Sequence, residues 1–537
     1  MVKTLQRLGT VMVLAAGLLH LPAGAASDPA EIIAASCGGC HAPDGKGGWV
    51  RISDQRKTPE GWQMTLVRMG MVHNAKLVDP AGGDSSEVMR TLVKHFADTQ
   101  GLAPAESAPY RYILEQELNT VEEHPTEAFA TMCARCHSGA RVGLQRRTED
   151  EWRHLVHFHL GQFPTTEYQM MGRDRDWLGL ALNEMVPYLA GEFPLQSAAW
   201  EEWGKVSKPA LDGRWRVYGT MPGKGPFSGV MVATDEGGDN YALELSGSFL
   251  DGEKLSGSGT GIVYTGYEWR ATLSVGGRKY RQVLAASSDG NGMQGRMFDR
   301  ERSEWGLRLQ AVRDNGTPSL VDVQPGQLPA GGEGLLRLVG TNLSDSVQLG
   351  KGLRIVQELA RGPDEITLRV AADGDVTAGK RAVAVGEARL EDALTVFSKI
   401  DRVEVEPAFA VARVGGDGGS QPVVDAMFDA VAWSNGADGE AGTGDDMRIG
   451  PVAAVWSVEP FNAQAESDQD VRFAGEMDKD SGVFTPAAAG PNPERKYQTN
   501  NAGNLKVVAT VDQGENRVRG EGQLIVTVQR WNNPPIR

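Results

Sequence analysis

The four cysteines of this chain fall into two short groups, Cys37-Gly38-Gly39-Cys40-His41 and Cys133-Ala134-Arg135-Cys136-His137. Both read C-x-x-C-H, the spacing of a c-type haem attachment. Two thiols three residues apart on one helical turn reach the two vinyl groups of a haem as thioethers. The adjacent histidine is then carried onto the iron as proximal ligand. One such group alone could be a redox dithiol or half of a zinc site. Two of them use every cysteine in the chain and leave none for a disulfide or a sulfur-bound zinc. Cys37, Cys40, Cys133 and Cys136 are therefore the expected attachment points of two covalently bound haems c, with His41 and His137 on the irons.

The sixth ligand sets the potential, which methionine raises and a second histidine lowers. A weak internal repeat locates the candidates. Thr58-Pro59-Glu60-Gly61-Trp62 follows the first motif and Thr148-Glu149-Asp150-Glu151-Trp152 follows the second. Each stretch predicts a helix that opens on a threonine N-cap with an acidic first turn. Seven residues beyond each tryptophan stand Met69 and His159. That separation is about two helical turns and puts each on the face of its tryptophan. Met69 and His159 are the expected distal ligands; Met71, Met64 and His73 remain alternatives to the first, and His157 and His154 to the second. The run His154 to His159 looks like a metal site in isolation, but the haem motif upstream already needs one of these rings. His95 and His124 are read as structural, because His95 fills in Val93–Ala97 the slot that Tyr188 fills in Val186–Ala190.

The elements that position these residues form two helical cytochrome c-like modules, residues 26–120 and 121–200, within a di-haem domain spanning 26–200. Before them, Lys3 and Arg7, the apolar run Leu8 to Leu21 and Ala23-Gly24-Ala25 make residues 1–25 a cleavable export signal. The apolar run falls short of the roughly 20 residues that span a bilayer, so the expected location is the periplasm, with no membrane span. Thioether attachment takes place outside the cytoplasm, which agrees with export. The net charge of −16 excludes nucleic acid as an expected partner.

Every histidine lies at or before His159, so the rest of the 537-residue chain offers no haem, copper or thiolate site. Its pattern is β. Alternating segments such as Tyr241–Leu245, Ile366–Val370 and Leu524–Val528 recur between Gly, Asp and Asn turns. The expected architecture is multidomain: the all-α tandem cytochrome c-like di-haem domain, then three all-β domains. The first, 211–313, is a barrel or sandwich; 314–398 and 399–537 are immunoglobulin-like sandwiches. The glycine-rich Val414 to Gly419 lacks a strand-to-helix context and reads as a loop. Asp438-Gly439-Glu440 with Asp445-Asp446 fails the EF-hand pattern and reads as an acidic hairpin loop.

The tandem haem motifs, the run His154–Tyr168, the stretch Arg173-Asp174-Arg175-Asp176-Trp177 and three β modules together resemble the alpha subunit of the quinohemoprotein amine dehydrogenase family. The likeness covers essentially the whole chain after the export signal. It implies a periplasmic heterotrimer in which a β-propeller subunit packs with a small subunit bearing cysteine tryptophylquinone. Primary amines would be deaminated oxidatively at that quinone. The haems on this chain would pass electrons singly to an external cytochrome c or blue-copper protein, and no substrate-oxidising site is expected here. The competing expectation is a di-haem cytochrome serving a different periplasmic dehydrogenase, with the β modules binding its partner. A haem enzyme such as a peroxidase would instead need an open iron site.

Overall fold

Stretches with helical periodicity and stretches with strand alternation separate along the chain, and the boundary falls near residue 206. The computed structural model describes residues 28–168, 174–416, 422–514 and 516–528. The export signal read over 1–25, Arg173 in the Arg173–Trp177 stretch, and Asp417 to Gly419 of the glycine-rich run lie outside the described residues.

The haem-motif region contains the helices Pro29–Cys37, Pro59–His73 and Ser85–Thr99 in its first module. Glu127–Cys133, Glu149–Gln162 and Val186–Glu192 follow in its second. The repeated threonines cap as their spacing predicts. Gly61 donates its backbone N–H to Thr58 Oγ1 at 3.2 Å, and Glu151 donates to Thr148 Oγ1 at 3.3 Å. The tryptophans four residues on are buried and anchor their helices alike: Trp62 Nε1 donates to the Gln100 carbonyl and Trp152 Nε1 to that of Phe193.

The all-α expectation for this region needs one correction. Gln55–Lys57 and Gln145–Arg147 form a two-stranded antiparallel sheet that joins the modules. Strands of three residues are too short to show alternation, and their long polar side chains carry little β propensity. The pairing sets Arg56 opposite Arg146, so the modules meet about a local two-fold axis. Equivalent contacts repeat across it. Gln55 Nε2 donates to the Arg51 carbonyl at 2.8 Å, and Gln145 Nε2 to that of Arg141 at 2.5 Å. Arg56 and Arg146 both reach the buried Glu106 carboxylate, at 2.8 and 3.1 Å.

Eight strands running from Gly213–Met221 to Gly306–Arg313 then close into a barrel, each paired to the next and the last to the first. Closure leaves no free edge. Trp215, Phe227, Trp269 and Leu273 fill the interior. Residues 319–397 form two packed four-stranded sheets, and the last domain combines three sheets with two short helices, Ala463–Ser467 and Asp470–Phe473. The barrel is fastened to the haem-motif region by buried ions. Arg270 binds Glu60 at 2.6 Å and Glu268 at 2.8 Å, and Arg111 binds Glu268 at 2.9 Å. Among the described residues, no helix is long and apolar enough to cross a membrane.

Candidate functional site

Burial of Glu127–Cys133 and Glu149–Gln162 around Trp152 and Phe129 leaves a cavity of about 480 Å³ between the helices, within the range of cofactor pockets. Its wall includes Cys133, Cys136 and His137 from the second motif, and His159, Phe163 and Trp177 opposite. The His137 and His159 rings stand 6.5 Å apart between centres and are inclined by 48°. An imidazole nitrogen binds a metal at about 2 Å and its ring centre lies about 1.1 Å further back, so two histidines flanking one ion have centres roughly 6.2 Å apart. The observed separation accommodates one metal ion between the rings.

The tautomers agree with that use. His137 Nδ1 donates to the Ser138 carbonyl at 2.9 Å and His159 Nδ1 to the Leu155 carbonyl at 2.8 Å. A carbonyl only accepts, so each Nδ1 carries the proton and each Nε2 keeps its lone pair. Burial above all, aided by nearby arginines, lowers the proton affinity of both rings, which holds them neutral, the metal-binding form. Burial also pushes the Cys133 thiol up to about 12, as befits an apolar wall.

Among the described residues, six basic ones line this cavity, namely Lys57, Arg68, Arg135, Arg141, Arg147 and Arg175, and no acidic one does. Two residues of the wall, Arg68 and Thr166, each have a buried polar atom without a partner, Nε and Oγ1. An apolar-walled slot with two thiols, two facing imidazoles, excess positive charge and orphaned donors fits a covalently held haem with its two anionic propionates.

The first motif presents a more open surface. Cys37 packs partly into a core with Trp49, and Cys40 is exposed. His41 Nδ1 donates to the Val50 carbonyl at 3.0 Å, so His41 too has Nε2 available. Val50, Val67, Val72 and Val78 are exposed around it in sequence, as is Met71 at 82%. Met69 is partly buried on the Pro59–His73 helix. Met64, on the same helix, lines the second cavity and touches Arg141 (3.3 Å, Nη2 to Sδ). His154 is held by Glu151 at 3.0 Å. His157 is exposed, as is His73. His95 packs edge-on against Phe96, and His124 lies against Phe129.

Lys57, Arg68 and Arg141 were not singled out by their spacing from the haem motifs. The repeat extends further back than Thr58 and Thr148, since Arg51–Lys57 aligns with Arg141–Arg147 and both share Gln-Arg before a last cation. That signal marks the cations that meet at the two-fold axis. The acidic hairpin between Ser434 and Met447 spends its carboxylates on its own turn: Asp445 accepts from the Ala437 N–H and Asp446 from that of Gly442. Among the described residues, no group of three or more His, Cys, Asp or Glu is arranged to hold a metal ion.

Family models match nearly the whole chain. Residues 27–200 match "Quinohemoprotein amine dehydrogenase A, alpha subunit, haem binding". Residues 208–314, 317–398 and 403–536 match domains II, III and IV of the quinohemoprotein amine dehydrogenase alpha subunit. A comparison with curated proteins found no match. Among solved structures, a redesigned β-barrel bound to DFHBI is 18% identical with a TM-score of 0.18, covering 20% of this chain and 99% of that chain. A Bacteroides ovatus mixed-linkage glucan utilisation protein, SGBP-B, in complex with a heptasaccharide is 13% identical, TM-score 0.20, covering 60% of this chain and 67% of that one. The zebrafish RET cadherin-like domains are 12% identical, TM-score 0.18, covering 59% and 66%. At TM-scores this low, none of them bears on function.

Proposed function

The chain belongs to the quinohemoprotein amine dehydrogenase alpha-subunit family, and from that premise we propose that it is the di-haem electron-transfer subunit of a periplasmic amine dehydrogenase. In this reading Cys37 and Cys40 hold one haem c and Cys133 and Cys136 the other. His41 and Met69 would hold the iron of the first, and His137 and His159 that of the second. Bound haem supplies reversible one-electron chemistry, which a two-electron amine oxidation needs when its final acceptor takes electrons singly. The oxidation itself belongs to cysteine tryptophylquinone on a small partner subunit, held with a β-propeller subunit. The acceptor is an external cytochrome c or blue-copper protein.

The observation that carries this reading is the facing pair His137 and His159 across a cavity walled by Cys133 and Cys136. What the chain's residues do there follows from their surroundings. The Ser138 and Leu155 carbonyls fix the two rings by their Nδ1–H bonds, so neither has to reorient to bind. The buried Trp152 and Trp177 supply apolar wall on the flanks. With His137 and His159 both holding the haem, relay would be favoured over reaction with a small molecule.

The test uses the enzyme purified from its native host. Under anaerobic conditions, adding a primary amine is expected to reduce both haems, seen in their absorbance, and a quinone-staining small subunit is expected to co-purify. Purification without that subunit, with haems that stay oxidised on adding amine, would reassign the chain to another dehydrogenase.

A further inference from the structure

The second cavity is not built by the second module alone. Lys57, Thr58, Gly61, Met64, Thr65 and Arg68, all from the first module, line it opposite the second cysteine-histidine motif. Of its six cations, three are already neutralised. Arg135 and Arg175 meet Asp174, and Arg147 meets Glu151. Among the described residues, Lys57, Arg68 and Arg141 form no ion pair with a carboxylate, Glu151 acting on Lys57 and Arg68 only from a distance. Lys57 is 2% exposed, and its ammonium donates to Thr65 Oγ1 at 2.6 Å and lies over the Trp62 ring. Arg68 lies 4.6 Å over the Phe158 ring and its Nε has no partner. Arg141 donates from Nη2 to the Met64 sulfur. A buried cation without an anion is costly, and three around one cavity in a chain of net charge −16 call for an anionic occupant.

The repeat explains why this side lacks an acid. Counted from the capping threonine, Gly61 occupies the place of Glu151. In the second module Glu151 reaches Arg51, the counterpart of Arg141, at 2.6 Å. In the first module the same place carries no side chain, and a Cβ there would come within 3.0 Å of Lys57 Cβ. The bare position leaves Lys57 and Arg141 without the carboxylate that Arg147 and Arg51 have in Glu151, with Arg68 beside them in the cavity wall.

We propose that Lys57, Arg68 and Arg141 clamp the two propionates of the second haem, so that the first module supplies two of the three anion-binding groups of the second module's site. This rests on the reading of Cys133, Cys136, His137 and His159 as a haem site and adds to it a function for three residues outside the motif. Two consequences follow. Positive charge in a poorly solvated site favours the reduced, less positive iron, so the clamp raises the potential of a haem that two histidine ligands alone would set low. Arg68 is also bonded in sequence to Met69, which places the clamp of one haem next to the proposed ligand of the other.

The experiment is a spectroelectrochemical titration of the full chain carrying its own haems, with haem attachment at each motif read by peptide mass. The methionine-to-iron absorption band reports the first haem, and the remaining transition reports the second. Lys57→Met and Arg68→Met are each expected to lower the potential of the second transition and leave the first in place. Arg68→Lys, which keeps the charge, is expected to restore most of the shift. Arg141→Met gives the same readout from the second module should a first-module variant fail to accumulate. Haem bound at both motifs with an unmoved second potential would overturn the clamp and leave the relay reading intact. A shift confined to the first transition would overturn it equally. A wild-type chain without haem at Cys133 and Cys136 would remove the two-haem reading, and the clamp with it.

Discussion

Met69 and His159 hold the same place in the repeat, eleven residues beyond Thr58 and Thr148, yet one is a thioether and the other an imidazole. In the proposed reading, that difference would make the two haems inequivalent and separately addressable. Met69→Ala is expected to abolish the methionine-to-iron absorption band while both haems stay attached. Retention of that band would move the ligand to Met71 or Met64. His159→Ala opens the position facing His137. The variant is expected to bind carbon monoxide at one reduced haem, where the wild type binds little, and ready binding by the wild type would count against relay. At this scale the two C-x-x-C-H groups were legible because thioether chemistry fixes a spacing. The clamp residues were not, since a cation near a haem has no fixed spacing and Lys57, Arg68 and Arg141 converge only through the fold.

The two short strands show what a helix pattern leaves out. Gln55–Lys57 and Gln145–Arg147 pair across the modules and bring Arg56 and Arg146 onto one carboxylate, Glu106. Burial pushes the Glu106 carboxyl up, but the hydrogen bonds and charges of Arg56 and Arg146 outweigh it and hold the group at about 2. A folded-state value below the unfolded one of about 4.3 means a contribution present above that pH and lost as pH falls towards 2. Glu106→Gln leaves Arg56 and Arg146 buried without their acid, a loss of about 3–5 kcal/mol at neutral pH. Thermal melts at pH 7 should show the full deficit and melts near pH 2.5 a much smaller one; an equal deficit at both would mean the charge is not what matters. The helices and their threonine caps were readable from sequence because capping is local. The strand pair was not, because pairing between residues ninety apart in sequence leaves no periodic trace in either.

Across the whole molecule, alternation announced strands after residue 211, but closure into a barrel depends on the first strand meeting the last, Gly213–Met221 with Gly306–Arg313, which no local pattern encodes. Closure also aims Glu268 and Arg270 out of one strand at the haem-motif region. Arg270, 6% exposed, lies between Glu60 at the start of the Pro59–His73 helix and Glu268 of its own strand, while Arg281 also reaches Glu60 at 3.0 Å. Glu60 was read from sequence as an acidic first-turn residue; its carboxylate is instead held at about 2, the arginines outweighing burial, and serves as the bolt between the two domains. If that bolt makes them one cooperative unit, Soret absorbance and the fluorescence of the buried barrel tryptophans should lose their native signals at one temperature. Arg270→Met removes the shared cation, leaving Glu268 to Arg111 and Glu60 to Arg281, at an expected cost of about 3–5 kcal/mol. Both signals should then melt earlier and still together, because the remaining arginines and the Trp203 donation to the Thr265 carbonyl keep the domains joined. A variant in which the Soret transition alone moved, with barrel fluorescence unchanged, would show that the domains fold independently and that the charged contact only positions one against the other.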